Sequence, residues 1–207
     1  MVKNPGRRSS LRQERAVSSR EALVEAASDL WAEEGFDAVK VEHICDRAGL
    51  SKGLFYFYFG SKDDLLVELL LADADEVAVV VERGIEADEP VEAVLQKAVA
   101  VMVRRAQKHP NHLLARGVAE WFAALERHSA MSVGHVGLES SLADAFAHGQ
   151  RRGELTTEYT ATELGGLLAV ALLRATLEWA TSASRQPSLV KRLWGRTELI
   201  LRGAAAT

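Results

Sequence analysis

The sequence predicts an all-α protein, a small N-terminal group of three helices followed by a larger helical bundle, about nine helices in all. Three observations carry this. Nearly half of the 207 residues are apolar (48%) while only four are Pro. Ala, Leu, Val and Glu recur at helical spacing, which favours helices over a sheet. Ser18-Ser19-Arg20-Glu21 and Ser61-Lys62-Asp63-Asp64 are capping boxes, in which the serine accepts from an early backbone amide and the acid reaches back.

Taken in order, residues 1–16 lack apolar periodicity, are rich in Arg, Ser, Gly and Pro, and read as a disordered basic arm. The first helix opens at Ser18, lays Ala22, Leu23, Ala26, Ala27, Leu30 and Trp31 on one face, and stops at Gly35. A short helix over 41–48 turns Val41, Ile44 and Cys45 inward. Gly49 supplies a turn, Leu50 plugs it, Ser51 caps a helix running to Tyr58, and Gly60 ends that helix. From Ser61 a long helix follows, with Leu65, Leu66, Leu69, Leu70, Val77 and Val81 as buried positions. Five more helices are expected over 90–109, 111–129, 131–152, 161–184 and 187–204. These divide the chain into the arm (1–16), a first group of helices (17–77, with a helix-turn-helix about 40–59) and a bundle (78–207), the 17–77 bounds being those of the family resemblance given below.

The bundle bears on assembly. Over 161–184, Leu164, Leu168, Ala171, Leu172 and Trp179 form one stripe and Leu167, Val170, Leu173 and Leu177 another. A helix apolar on two sides is not satisfied by one neighbouring layer. Gly165-Gly166 allows a close backbone approach, and the last helix adds Leu193, Trp194 and Leu201. A four-helix interface between two copies, built on Leu164, Leu168, Leu172, Leu193, Trp194 and Leu201, is the simplest solution, giving a homodimer. The alternative is that the second stripe is internal core of one subunit.

The net charge of −4 hides an asymmetry. Lys3, Arg7, Arg8, Arg12, Arg15 and Arg20 face Glu14 alone, whereas from Asp63 to Glu82 seven acids meet no cation. A single cysteine, Cys45, forms no internal disulfide, and no charge-free run reaches the ~20 residues of a membrane span. The expectation is a cytoplasmic protein with no membrane partner.

Of four Trp, three Tyr and six Phe, five stand side by side as Phe55-Tyr56-Phe57-Tyr58-Phe59. At about 100° per residue a helix cannot bury all five. With Phe55 and Phe59 inward, the middle three face something else, and Lys52 and Lys62 at the two ends suggest an anion such as a nucleic-acid backbone. A β-strand is the competing reading of this run, but helix caps bracket it and no partner strand is in view.

Arg20-Glu21-Ala22-Leu23, Ala26-Ala27, Leu30-Trp31, Glu34-Gly35-Phe36-Asp37-Ala38, Ile44, Ala48-Gly49-Leu50-Ser51-Lys52-Gly53, Phe55-Tyr56, Tyr58-Phe59 and Ser61-Lys62-Asp63-Asp64-Leu65-Leu66 together resemble the TetR family of bacterial transcriptional regulators over about residues 17–77. The resemblance implies a sequence-specific regulator of double-stranded DNA, a repressor released from a palindromic operator by a small apolar or amphipathic effector. It implies that Lys52, Gly53, Leu54 and Phe57 approach base edges, and that Ser51, Tyr56, Tyr58 and Lys62 hold phosphates. It also implies an effector pocket among the later helices, for which Met102, Trp121, Phe122, Leu125 and Trp179 are the candidate wall. The open alternatives are control by a partner protein and action as an activator.

Three departures from the family pattern stand out. Lys40 replaces the usual Thr or Ser cap of the second helix, a loss of about 1 kcal/mol that a phosphate contact by Lys40 would recover. Leu54 and Phe57 replace commonly polar residues. Each suits a thymine methyl, and packing on the neighbouring helix is the other reading of Leu54. Cys45 stands where Ala is usual and needs no role. The basic arm is either a solvated tail or a minor-groove arm. No enzyme motif appears: HExxH, GxSxG, GxGxxG and the phosphate loop are absent, and no Glu has a His three residues on. No catalytic residue, metal or cofactor is expected.

Overall fold

The structure is a computed structural model and describes residues 5–126, 132–184 and 186–206, with side chains for 17–70, 74–123, 137–184 and 186–206. Its described residues form nine helices: α1 (Pro5–Glu34), α2 (Val41–Ala48), α3 (Lys52–Tyr58), α4 (Lys62–Glu86), α5 (Val91–Ala106), α6 (Asn111–Glu126), α7 (Ser132–Arg151), α8 (Ala161–Thr181) and α9 (Leu189–Gly203). They fall into two compact units that divide between Leu69 and Leu70, so α4 contributes to both.

One boundary differs from the sequence reading. α1 begins at Pro5, not at Ser18, so residues 5–16 are helical in backbone and the disordered-arm reading is corrected there. Proline suits a first helical position, and the Arg, Gln and Glu that follow are good helix formers. Once the apolar turns from Leu23 onward are nucleated, extending the helix backward adds one bond per residue fixed. Residues 1–4 of that reading lie outside the described residues.

The first unit is built around Leu23, Ala27, Leu30, Trp31, Ile44, Phe55, Leu65 and Leu66, all at most 4% exposed. Trp31 packs on Phe36 with ring centroids 5.0 Å apart. Gly49, at φ +67°, ends α2 in the left-handed region. There its N–H donates to Asp46 O (3.2 Å) and that of Leu50 to Cys45 O (2.9 Å). This turn sets α3 against α2. Arg47 clamps Glu33 through two nitrogens (2.9 and 3.4 Å), tying α2 to α1, and Arg20 pairs with Glu68.

In the second unit Leu95, Leu142, Phe146, Leu168 and Leu172 are fully buried. α7 and α8 approach to backbone contact at Gly165, where an added Cβ would lie 2.5 Å from Ala143 N. Thr160 and Glu163 form a reciprocal capping box at the start of α8. The sequence Arg152-Gly153-Glu154-Leu155 knits the unit together. Glu154 accepts from Val91 N (2.7 Å) and Arg152 Nε (2.5 Å), and Leu155 bridges antiparallel to Ala205.

One expectation about α8 is corrected. Its length and composition would suffice for a membrane crossing. The helix instead buries Leu164, Leu168, Leu172 and Trp179 in the unit's core. For the same reason Leu164, Leu168, Leu172 and, on α9, Leu193 cannot form a surface between copies: all are at most 6% exposed inside one subunit. Trp194 and Leu201 are half-buried at the edge of that core. Of the other stripe, Leu167 (57% exposed) and Val170 (41%) remain outside, together with Leu199 of α9 at 72%, while Leu173 and Leu177 are half-buried against the core.

Candidate nucleic-acid interface

The helix-turn-helix is α2, the Gly49 turn and α3. Ser51 caps α3 by accepting from Leu54 N at 3.2 Å, and its O–H remains a donor. The seven-residue helix then sorts the aromatic run by period. Phe55 and Phe59 are buried (0% and 4%), while Tyr56 and Phe57 stand out at 57% and 77% exposed. Tyr58 is half-buried, its ring edge-on to Phe57 at 5.1 Å. Phe57 is thus a large apolar side chain held in water with no partner layer in its own unit. Lys52 and Gly53 are exposed and Leu54 is half-buried, so one face of α3 offers a cation, a gap, an aromatic ring and a phenol.

The electrostatics contain a partner that the sequence reading missed. Lys52 donates to Glu42 on α2, and this hydrogen bond holds the Glu42 carboxyl below its usual range and the Lys52 ammonium above its own. Both side chains are about half exposed, so the pair is a weak tether that an incoming phosphate can replace. Glu42 and Lys52 are ten residues apart across the turn, a spacing that no single-helix rule detects. Lys40 is exposed and makes no cap bond through its side chain, while its N–H donates to His43 Nδ1 at a long 3.5 Å. The α2 cap is therefore weak, as the sequence suggests. The Cys45 thiol is raised by burial, which keeps it protonated and inert.

Lys62 is put to a different use from the one expected. Its Nζ donates to Phe36 O and Val39 O, each at 2.6 Å, and sits 4.3 Å from the centre of the Phe36 ring. The ammonium is turned onto the loop between α1 and α2, which places the start of α2. Ser61 caps α4 by accepting from Asp64 N at 3.1 Å.

In the second unit a cavity of about 80 Å³ lies among α4, α5, α6, α7 and α8, and its walls include Leu70, Val77, Met102, Val118 and Leu173. Of the five expected wall residues only Met102 lines it. Trp121 and Trp179 are buried elsewhere in the unit, Phe122 is half-buried with its ring edge-on to Trp121, and the Leu125 side chain lies outside the described residues. The missed lining residue that carries charge is Arg105. Met102, Arg105 and Ala106 stand at i, i+3 and i+4 on α5, a spacing that could have found them together. Among the described residues no group of three His, Cys, Asp or Glu could hold a metal.

A three-helix unit with a capped, aromatic-bearing second helix after a glycine turn is the architecture of a helix-turn-helix DNA reader. Residues 23–69 match the family described as bacterial regulatory proteins, tetR family. The HTH-type transcriptional repressor KstR of Mycolicibacterium smegmatis is 27% identical over 186 residues, 89% of this chain and 88% of that protein. Among solved structures, Thermus thermophilus FadR, a transcriptional repressor in complex with lauroyl-CoA, superposes with a TM-score of 0.74 at 20% identity. It covers 91% of this chain and 96% of that one. Bacillus subtilis FadR in complex with stearoyl-CoA gives a TM-score of 0.62 at 19% identity, over 88% and 98%. The match over residues 23–69 and the likeness to these repressors along the chain support the TetR family of transcriptional regulators.

Proposed function

We propose that this chain is a cytoplasmic, homodimeric repressor that binds a palindromic operator and is released by a small apolar or amphipathic ligand. The reading is carried by α3, which exposes Tyr56 and Phe57 while burying Phe55 and Phe59. An aromatic ring held in water beside a lysine and a glycine suits a major groove. There Phe57 and Leu54 meet thymine methyls, Gly53 lets the helix approach, and Lys52, Tyr56, Tyr58, Ser51 and Lys40 donate to phosphates or base edges. The outward Leu167, Val170 and Leu199 supply apolar surface for pairing two copies, which a two-fold operator requires. The cavity in the second unit favours a ligand over a partner protein as the controlling signal, and two structural neighbours hold acyl-CoA. Release follows if the ligand prefers a form whose two α3 helices are wrongly spaced for the half-sites. DNA must then weaken ligand binding by the same factor.

The test is a binding titration with duplex DNA from upstream of the protein's own coding region, repeated across salt. Log affinity should fall linearly with log salt, by about 0.9 per phosphate neutralised. Affinity that ignores salt, or no preference for that DNA over a scrambled duplex, would overturn the reading.

A further inference from the structure

The cavity of the second unit is almost wholly hydrocarbon in its walls, and the exceptions decide what it can hold. Leu70, Val77, Leu114, Val118 and Leu173 offer no hydrogen bonds, and Met102 only a weak acceptor. Among the described residues two polar side chains belong to the lining, Arg105 and Thr176. The Thr176 hydroxyl donates to Leu172 O at 2.9 Å, so its proton is already committed. Among the described residues, the lining side chain with hydrogen-bond donors left for an occupant is therefore Arg105.

Arg105 is 22% exposed and its Nη1 pairs with Glu76 Oε1 at 3.0 Å. Glu76 is 43% exposed and also accepts from Arg104 Nη2 at 3.3 Å. This arrangement is asymmetric. If Glu76 lets go of Arg105 it keeps Arg104 and water, at small cost for an exposed carboxylate. Arg105 is the more enclosed of the two, and a guanidinium matches an incoming carboxylate through two parallel N–H···O bonds.

We infer that the cavity takes an amphipathic acid, its hydrocarbon body in the apolar space and its carboxylate on Arg105 in place of Glu76. This rests on the ligand-responsive reading above and names the chemistry of the ligand. A neutral amphiphile of the same length fills the same space but leaves the Arg105–Glu76 pair intact, so it gains only the burial. The exchange also gives the ligand a hold on α4, because Glu76 belongs to that helix.

Calorimetric titration of the full-length protein with octanoate and with octan-1-ol at neutral pH tests this. The protein should bind octanoate about tenfold or more tightly than the alcohol, as expected of a charge-assisted pair. Arg105→Met should remove that advantage and leave the alcohol within about twofold. Glu76→Gln, which keeps size and removes the competitor, should tighten octanoate several-fold and leave the alcohol unchanged. This second variant serves if Arg105→Met does not fold. Equal affinity for acid and alcohol, or weaker octanoate binding by Glu76→Gln, would overturn the headgroup assignment and leave an apolar ligand site standing. If no straight-chain acid from hexanoate to dodecanoate binds, and octan-1-ol does not either, both this inference and the ligand-responsive reading fall.

Discussion

Replacing Lys62 by methionine separates two physical roles that sequence alone cannot distinguish. As a phosphate ligand, Lys62 would contribute to DNA affinity and nothing to folding. As the structure has it, the ammonium donates to Phe36 O and Val39 O at 2.6 Å each and lies 4.3 Å from the Phe36 ring centre. Hydrogen bonds to a charged group are worth about 1.5–3 kcal/mol each and an exposed cation–π contact about 0.5–1 kcal/mol. The site is only part-buried, so water re-solvates the carbonyls in the variant and offsets part of the roughly 3.5 kcal/mol to which the low ends add. Methionine keeps the stem packed on Phe36. The net loss should be about 2–3 kcal/mol of stability in the first unit.

A unit that starts with about 5–15 kcal/mol remains folded after that loss, so DNA affinity should change only a few-fold. Amide hydrogen exchange in α2 and α3 should accelerate by about thirtyfold or more, since each 1.4 kcal/mol is tenfold in an opening equilibrium. The slope of log affinity against log salt should be unchanged. If exchange is unaffected while the slope falls by about 0.9, Lys62 is a phosphate ligand and the clip argument is wrong.

Four further outcomes follow from the same structure. Lys40→Thr supplies the missing α2 cap and should raise stability by about 1 kcal/mol; DNA affinity should fall with it, and an unchanged affinity would refute the phosphate contact. Gly165→Ala drives a methyl to within 2.5 Å of Ala143 N, a backbone atom that cannot step aside, and should cost about 1–3 kcal/mol in chemical denaturation. Gly166→Ala, with nothing within 4 Å of its added Cβ, should instead gain up to about 1 kcal/mol from helix propensity. Glu154 is pushed up by burial, but the Arg152 guanidinium and Val91 N–H outweigh this and hold it below the ordinary carboxyl value. A depressed folded pKa contributes stability above the unfolded value, lost as pH falls through the folded one. The advantage of the native protein over Glu154→Gln should therefore be full at neutral pH and shrink in acid. An advantage constant with pH would mean that packing, not charge, holds this turn.

What was legible in the sequence was what local periodicity and caps encode. Ser51 and Ser61 cap where their spacing says, Gly49 turns with positive φ, and the five-aromatic run divides into buried Phe55 and Phe59 and exposed Tyr56 and Phe57. These features depend on residues within one or two turns of each other. The pairing of Glu42 with Lys52, the inward turn of Lys62 and the position of Arg105 beside Glu76 depend on which helices meet, and no local spacing contains that. α8 shows the limit most plainly. Its two apolar stripes are of similar composition, and the glycine doublet that should mark the close approach puts one glycine on each side, since neighbours on a helix point about 100° apart. Only the position of α7 breaks the tie. Ala143 backbone lies against Gly165, so the stripe of Leu164, Leu168 and Leu172 is core, and Gly166, Leu167 and Val170 are left facing out. For the homodimer proposed above, the residues of this helix available to a second copy are therefore Leu167 and Val170, and an introduced charge there is what should separate the copies.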